Sequence, residues 1–336
     1  MKGFELQHYA LSACTAGAML TAGCGGSQPP IGGPGAMPQS RAIATHIDRG
    51  ASWMLAEAKS EDLLYADVSG ENADVIYVFS YPKGKLVGTL YQSGAQYQQG
   101  LCSDSRGHVF VTTLSSNLFG GNIYEYAHAG TKPIETLYEQ GLWPWGCSVD
   151  PSTGNLAVSS INFDTLPSGV EIYPDAKGAP KLYSDNEIVN YTFCGYDDKG
   201  NLFVDGTGND SKVHFAELPK GSGTLVNVNL SKSINWFGQV QWDGAHITLE
   251  DEPASAVYRL KVSGSTALVV GTTRLRQWTD TQPAQSWIQN QTIIQPNGAS
   301  ATEIASWSYP AGGKPSKTVS SPALFGVTVS LAPRSK

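Results

Sequence analysis

The 336-residue chain contains few charged residues and no cluster of basic ones. Charged residues make up 15% of the sequence, below the ~25% of an average soluble domain, and the formal net charge is −7. A nucleic-acid-binding surface needs a stripe of Lys and Arg, so this pattern argues against DNA or RNA as a partner. No run reaches the ~18 apolar residues of a membrane-spanning helix either.

The common sequence motifs of catalysis are also missing. The chain has no G-x-S-x-G, H-E-x-x-H or C-x-x-C motif and no Walker or dinucleotide-binding glycine pattern. Its six histidines lie in different segments, and no two of them have the spacing of metal ligands. The sequence therefore favours a protein without catalytic activity.

The N-terminus has the pattern of an export signal. Residues 10–23 form a short, uncharged, small and apolar run that follows Lys2 and ends at Cys24. The segment Leu20-Thr21-Ala22-Gly23-Cys24 resembles the lipobox of bacterial lipoproteins, although Thr21 occupies the position where that pattern prefers an aliphatic residue. The resemblance implies export and lipidation at Cys24. A cleaved signal without lipidation and an unprocessed N-terminus are the alternatives.

The sequence predicts four regions. Residues 1–24 form the signal peptide with its lipobox-like end, and residues 25–60 form a flexible Gly/Pro/Ser-rich linker and lead-in. Residues 61–331 form the folded body, and residues 332–336 form a short tail. Gly (37), Tyr (15) and Trp (8) are plentiful, which is typical of β-rich structure with many turns.

A repeat organises the folded body. Five strand–turn–strand segments, such as DSRGHVFVTT and DDKGNLFVDG, alternate with six segments in which an alternating strand meets a Gly or Pro turn. The turns of the six segments of the second kind recur every 43 to 48 residues, at Gly84, Gly130, Gly178, Gly221, Gly264 and Gly312. The pattern predicts six units of four antiparallel strands, which is the organisation of a β-propeller. A large two-sheet sandwich would not explain the fixed period.

The two ends of the body complete one unit. The first repeat begins at the segment LLYADV, which matches the second strand of later units, whereas the segment LFGVTVSLA from Leu324 matches a first strand. A C-terminal strand in the first unit would close the ring and remove the exposed sheet edges. The segments DSRGHVFVTT, DDKGNLFVDG and DPSTGNLAVSS resemble the repeats of NHL and YncE-like six-bladed propellers, which implies that fold but no particular activity.

Three cysteines remain in the predicted propeller. Cys102, Cys147 and Cys194 all lie on predicted innermost strands, and Cys102 faces oppositely to the other two by the period of two. Equivalent positions on neighbouring blades diverge and can exceed the ~7 Å Cα separation that a disulfide tolerates. We therefore expect three buried thiols, with a Cys147–Cys194 disulfide as the alternative.

Two acidic segments are candidate cation ligands. The loop from Asp205 through Asn209 to Asp210 has oxygen-bearing side chains at alternate positions, as the first half of a calcium loop does, but its later positions depart from that pattern. Glu250 and Asp251 lie in the equivalent part of the next unit. These residues would serve a divalent-cation-dependent hydrolase of the lactonase type. A hairpin loop without Ca²⁺ is the simpler interpretation, and no cofactor is then expected.

Aromatic side chains are the richest candidate binding feature. We expect the loops that enter each innermost strand to share one face of the propeller with the loops between second and third strands. Rings on this face suit stacking on sugars or anchoring a peptide, unless they pack between the blades. The candidate ligand-binding residues are Trp143, Trp145, Tyr191, Trp236 and Trp287. The sequence thus predicts an exported, membrane-anchored binding scaffold for a glycan or an envelope protein.

Overall fold

The computed structural model describes residues 51–68, 74–92, 95–115, 120–161, 168–279, 285–297, 302–321 and 324–334. They form six sheets that are the blades of a β-propeller, which confirms the predicted fold class. The pairing within them is antiparallel except for one short parallel pair in the fifth blade. No helix in these residues is long and apolar enough to cross a membrane. The signal sequence with Cys24 and most of the linker lie outside the described residues.

The first three blades follow the predicted order of strands. Blade 1 contains β1 (Trp53–Met54), β2 (Leu63–Val68), β3 (Val75–Ser80), β4 (Leu86–Tyr91) and the C-terminal β26 (Leu324–Ser330). Blade 2 contains β5 (Ala95–Ser103), β6 (Val109–Ser115), β7 (Gly120–Tyr126) and β8 (Pro133–Gln140). Blade 3 contains β9 (Trp143–Val149), β10 (Leu156–Ile161), β11 (Gly169–Tyr173) and β12 (Lys181–Tyr183).

The last three blades repeat this plan. Blade 4 contains β13 (Asn190–Tyr196), β14 (Leu202–Thr207), β15 (Val213–Leu218) and β16 (Val226–Asn227). Blade 5 contains β17 (Asn229–Leu230), β18 (Val240–Trp242), β19 (Ile247–Asp251), β20 (Ala256–Ser263) and β21 (Thr266–Arg274). Blade 6 contains β22 (Trp287–Gln289), β23 (Thr292–Asn297), β24 (Glu303–Ser308) and β25 (Lys317–Ser320). Short 3₁₀ helices span Ala56–Ser60, Pro174–Ala176 and Glu252–Ala254.

The ring closes through the two ends of the body. Strand β26 pairs antiparallel with β2, with Ser330 opposite Leu63 and Val327 opposite Ala66, as the split first repeat predicts. The lead-in adds to the same blade, because β1 pairs with β4, and Ala58 is fully buried in a core cluster formed by blades 1 and 2. The part of the predicted lead-in after residue 50 therefore belongs to the fold.

The turns after the innermost strands explain why Asp and Gly recur there. In blade 4, Asp197 Oδ1 accepts hydrogen bonds from the backbone N–H groups of Lys199 and Asn201 at 2.9 and 2.8 Å. Gly200 adopts φ 83°, a conformation that favours glycine. The carboxylate fixes the turn from inside while glycine supplies the positive φ, and such a pair follows the innermost strands of blades 2 to 5 at one face. We call this face the turn face and the opposite one the loop face.

A disulfide joins two neighbouring blades, which neither cysteine prediction anticipated. Cys102 of β5 is bonded to Cys147 of β9 with a Cα separation of 5.7 Å, and Cys194 is a buried free thiol. Side chains on one face of an innermost strand point to the following blade and those on the other face to the preceding blade. Cys102 and Cys147 occupy opposite faces and therefore meet. Cys194 also points backward, with its Sγ 3.8 Å from the carbonyl oxygen of Ala157.

Candidate functional site

Aromatic rings meet in the central channel at the loop face. The rings of Trp145 on β9 and Phe325 on β26 lie 5.7 Å apart at 75°, an edge-to-face arrangement. These strands belong to blades 3 and 1, which are separated by blade 2. The contact therefore spans the channel instead of joining neighbouring blades.

Blades 4 and 5 extend this group of rings toward the surface. Phe193 of β13 lies 6.5 Å from Phe237, and Phe237 lies 5.2 Å from Trp236. Trp145 also packs against the core cluster that contains Phe193. Trp236 is 46% exposed, so one indole of the group faces solvent. We call these five residues the loop-face aromatic cluster: Trp145, Phe193, Trp236, Phe237 and Phe325.

The structure separates the predicted aromatic ligands. Trp145 and Trp236 belong to the loop-face aromatic cluster, and Trp143 is half-buried at the start of β9. Tyr191 is fully buried, and its hydroxyl accepts a hydrogen bond of 2.8 Å from the N–H of Asp185, so its ring is not available at the surface. Trp287 lies nearer the turn face, because β22 is only three residues long and ends at the turn that follows Gln289.

In blades 2 to 5, the second strands carry polar side chains that form hydrogen bonds with the next blade. Thr112 donates to the carbonyl of Trp145, and Ser159 donates to the carbonyl of Thr192. Asp205 occupies the same position in blade 4. It accepts hydrogen bonds from Thr192 Oγ1 at 2.8 Å and from the backbone N–H groups of Phe193 and Gly238 at 2.9 Å each. This carboxyl therefore joins innermost strand β13 to the segment that leads into β18.

Glu250 holds the equivalent position in blade 5. Its carboxyl accepts from Ser286 Oγ at 2.7 Å and from the side-chain amide of Gln295 in blade 6. Burial raises the pKa of Glu250 to about 8 and that of Asp205 to about 7, because the charged form loses its hydration. Both carboxyls are buried and already accept hydrogen bonds from neighbouring strands or loops.

The other three predicted cation ligands lie apart from these two. Asp251 is buried and accepts hydrogen bonds from the backbone and side chain of Asn235. Asn209 and Asp210 are exposed, and the hydrogen bond from His214 at 2.9 Å lowers the pKa of Asp210 to about 2. Within the described ranges, no three His, Cys, Asp or Glu side chains are grouped as a metal site. The five predicted residues therefore do not fit one calcium ion.

A cavity of about 390 Å³ opens at the other end of the channel. Its lining includes the Cys102–Cys147 disulfide, the acidic turn residues of blades 2 and 3, and the indoles of Trp242 and Trp287. Trp287 of blade 6 also packs against the core cluster around the disulfide, so its ring reaches across the channel. We call this space the turn-face cavity.

The candidate ligand-binding residues predicted from sequence did not include Phe325 and Phe237. These two residues and the predicted Trp145 each directly precede a glycine that packs closely against a neighbouring segment, at Gly326, Gly238 and Gly146. A Cβ on Gly146 would lie 2.7 Å from the carbonyl oxygen of Thr192, so this position requires glycine. Aligning the repeats on these glycines would have placed the three rings together.

Comparison with known proteins identifies the fold and no family. The sequence matches no known family model and none of the curated proteins. A chain from the crystal structure of a nidogen/laminin complex is 14% identical with a TM-score of 0.64, covering 82% of this chain and all of that one.

Two bacterial structures are also similar. A protein of unknown function from Bacteroides caccae is 13% identical with a TM-score of 0.57, covering 81% of this chain and 99% of that one. The periplasmic gluconolactonase PpgL of Pseudomonas aeruginosa is 13% identical with a TM-score of 0.54, covering 82% of this chain and 100% of that one. These likenesses show the propeller fold, which is shared by proteins of different activities.

Proposed function

We propose that this protein is a binding scaffold of the cell envelope that engages a glycan or a protein through its loop-face aromatic cluster. The observation that carries the proposal is the contact of Trp145 with Phe325 across the channel. Rings occupy the axis there, where a channel hydrolase would need converging carboxylates. Trp236 extends the same cluster into solvent, and exposed Trp residues are typical anchors of binding surfaces.

The proposal includes the export and membrane anchoring that the N-terminal sequence suggests. Cleavage before Cys24 and lipidation of its thiol would place the propeller at a membrane surface, with residues 25–52 between the anchor and the first described strand. A glycan or an envelope protein would then lie within reach. A metal-dependent hydrolase is the alternative, but the described residues offer it no group of ligands.

Photo-crosslinking from the exposed ring tests the proposed surface. We expect p-benzoylphenylalanine at position 236 to capture a partner in intact cells. The same probe at position 138 should not, although Tyr138 is 54% exposed on the outer strand β8 of blade 2. Equal capture from both positions, or capture from neither, would contradict the proposal.

A substitution gives the quantitative version of this test. Trp236→Ala should weaken binding of the full chain to purified peptidoglycan, or to the captured protein, by roughly tenfold or more, as expected for a central Trp anchor. Tyr138→Ala is the matched control and should leave the affinity unchanged. Because Trp236 is half-exposed, the melting temperature should change little in either variant.

A further inference from the structure

The turn-face cavity has walls suited to a small ring-shaped or branched ligand. Its volume of about 390 Å³ lies within the range of small-molecule sites, and the half-buried indoles of Trp242 and Trp287 contribute to its lining. The indole N–H of Trp287 is donated to Gln289 Oε1 at 3.2 Å. This ring therefore presents aromatic surface to the cavity, without a free hydrogen-bond donor.

The rim of the cavity is acidic. Asp104, Asp150 and Asp175 line it, whereas Arg106 is the one basic residue in the described lining. Arg106 Nε donates to Asp104 Oδ2 at 2.7 Å, so its charge is already paired. The hydrogen bond to Asp104 and the nearby carboxylates of Glu125 and Asp175 raise the pKa of Arg106. Asp150 and Asp175 are therefore the carboxylates of the lining that Arg106 does not pair with.

Two lysines lie near the rim but outside the lining. Lys177 Nζ is 3.4 Å from Asp175 Oδ2, and Lys220 Nζ donates to Ser152 Oγ at 3.1 Å. Both lysines are exposed, so water and salt screen their charges strongly. The lining itself carries three carboxylates and one guanidinium, a formal charge of −2, and the two lysines offset this charge from outside the cavity.

We propose that the turn-face cavity is a second binding site, which takes a small organic ammonium ion. An ammonium group gains attraction from carboxylates at the rim and from the negative faces of indole rings. An anion would meet three carboxylates and a guanidinium that is already bonded. A ligand with many hydroxyl groups would find the turn carboxylates occupied, since Asp104 and Asp150 accept hydrogen bonds within their own turns.

Three six-carbon rings of similar size that differ in charge test this proposal. The full chain should be titrated calorimetrically with cyclohexylammonium, cyclohexanol and cyclohexanecarboxylate at low ionic strength. We expect the ammonium ion to bind at least tenfold more tightly than the alcohol, the carboxylate not to bind, and added salt to weaken the ammonium complex. Equal affinity for ammonium and alcohol, or tighter binding of the carboxylate, would overturn the ammonium preference. The absence of binding by all three would overturn the site.

Two variants locate the binding. Asp175→Asn removes one rim charge from an exposed side chain, and Asn tolerates the positive φ of 46° at this position. It should weaken ammonium binding roughly threefold, as a nearby charge does in a hydrated site, and leave cyclohexanol unchanged. Trp287→Leu should weaken both ligands. Trp236→Ala on the loop face is the control and should change neither, so this test is independent of the loop-face proposal. Unaltered ammonium binding in both Asp175→Asn and Trp287→Leu would place the ligand elsewhere.

Discussion

Removing the disulfide between blades 2 and 3 should cost a large part of the stability of the propeller. Cys102 and Cys147 are 45 residues apart in sequence, so the bond closes a loop of that length in the unfolded chain. The loop-entropy relation gives about 4 kcal/mol at 25 °C for such a loop. With ~2.1 cal/mol/K of unfolding entropy per residue over roughly 280 residues, the melting temperature should fall by about 7 °C.

The assay is urea unfolding of the parent chain and of Cys102→Ala/Cys147→Ala, each with and without a reductant. The parent should lose about 4 kcal/mol on reduction, whereas the variant should not respond. Cys194→Ala is the control, because this thiol is buried and free, and it should leave the response to reductant intact. Alkylation followed by mass spectrometry should find Cys102 and Cys147 linked to each other.

A loss below about 1 kcal/mol on reduction would refute this reasoning. It would mean that contacts between β5 and β9 persist in the unfolded chain, so that the bond constrains little. A reductant effect that survives in Cys102→Ala/Cys147→Ala would show instead that another cysteine pair carries the stabilisation.

Two further predictions concern the pH dependence of stability and the cellular localisation. Burial raises the pKa of Asp67 to about 7 in the folded protein, whereas the same carboxyl in the unfolded chain loses its proton near pH 4. The free energy of unfolding should therefore fall as the pH rises from about 4 to 7. Asp67→Asn keeps the acceptor oxygen and should remove up to about 4 kcal/mol of this dependence in urea unfolding from pH 4 to 8; an unchanged slope would refute the assignment. Cys24→Ser should move the protein from the membrane fraction to the soluble fraction, and continued membrane retention would count against lipidation.

The sequence was sufficient to predict the architecture because every blade repeats the same local chemistry. Asp with Gly ends each of several innermost strands, and the structure places Gly107, Gly154 and Gly200 at positive φ as those turns require. One turn between a third and a fourth strand differs from the expectation: in blade 2, Ala129 has a positive φ of 55° and Gly130 does not. The residue with the left-handed backbone conformation therefore lies one position before the glycine, and the strands on either side form as predicted.

The candidate sites were harder to predict because they depend on contacts between distant blades. Trp145 and Phe325 are 180 positions apart in sequence and meet only when the ring has closed. β-Bulges add a second obstacle: pairing shifts register between Gln98 and Gly100 in β5 and between Tyr191 and Cys194 in β13. A bulge reverses the facing of every later side chain, so alternation alone cannot separate channel residues from core residues.

The buried carboxyls show why residue type alone does not define the chemistry of the channel. Thr112, Ser159, Asp205 and Glu250 occupy one repeated position, and each bonds to the following blade. A hydroxyl serves this purpose in two blades and a carboxyl in two others, so what the repeat maintains is a hydrogen-bonding group rather than a charge. Asp205 and Glu250 resemble metal ligands only when their blades are read alone. When they are aligned with Thr112 and Ser159, their shared role is to link neighbouring blades. The blades differ from one another at the two ends of the channel, and these are the places where binding can be specific.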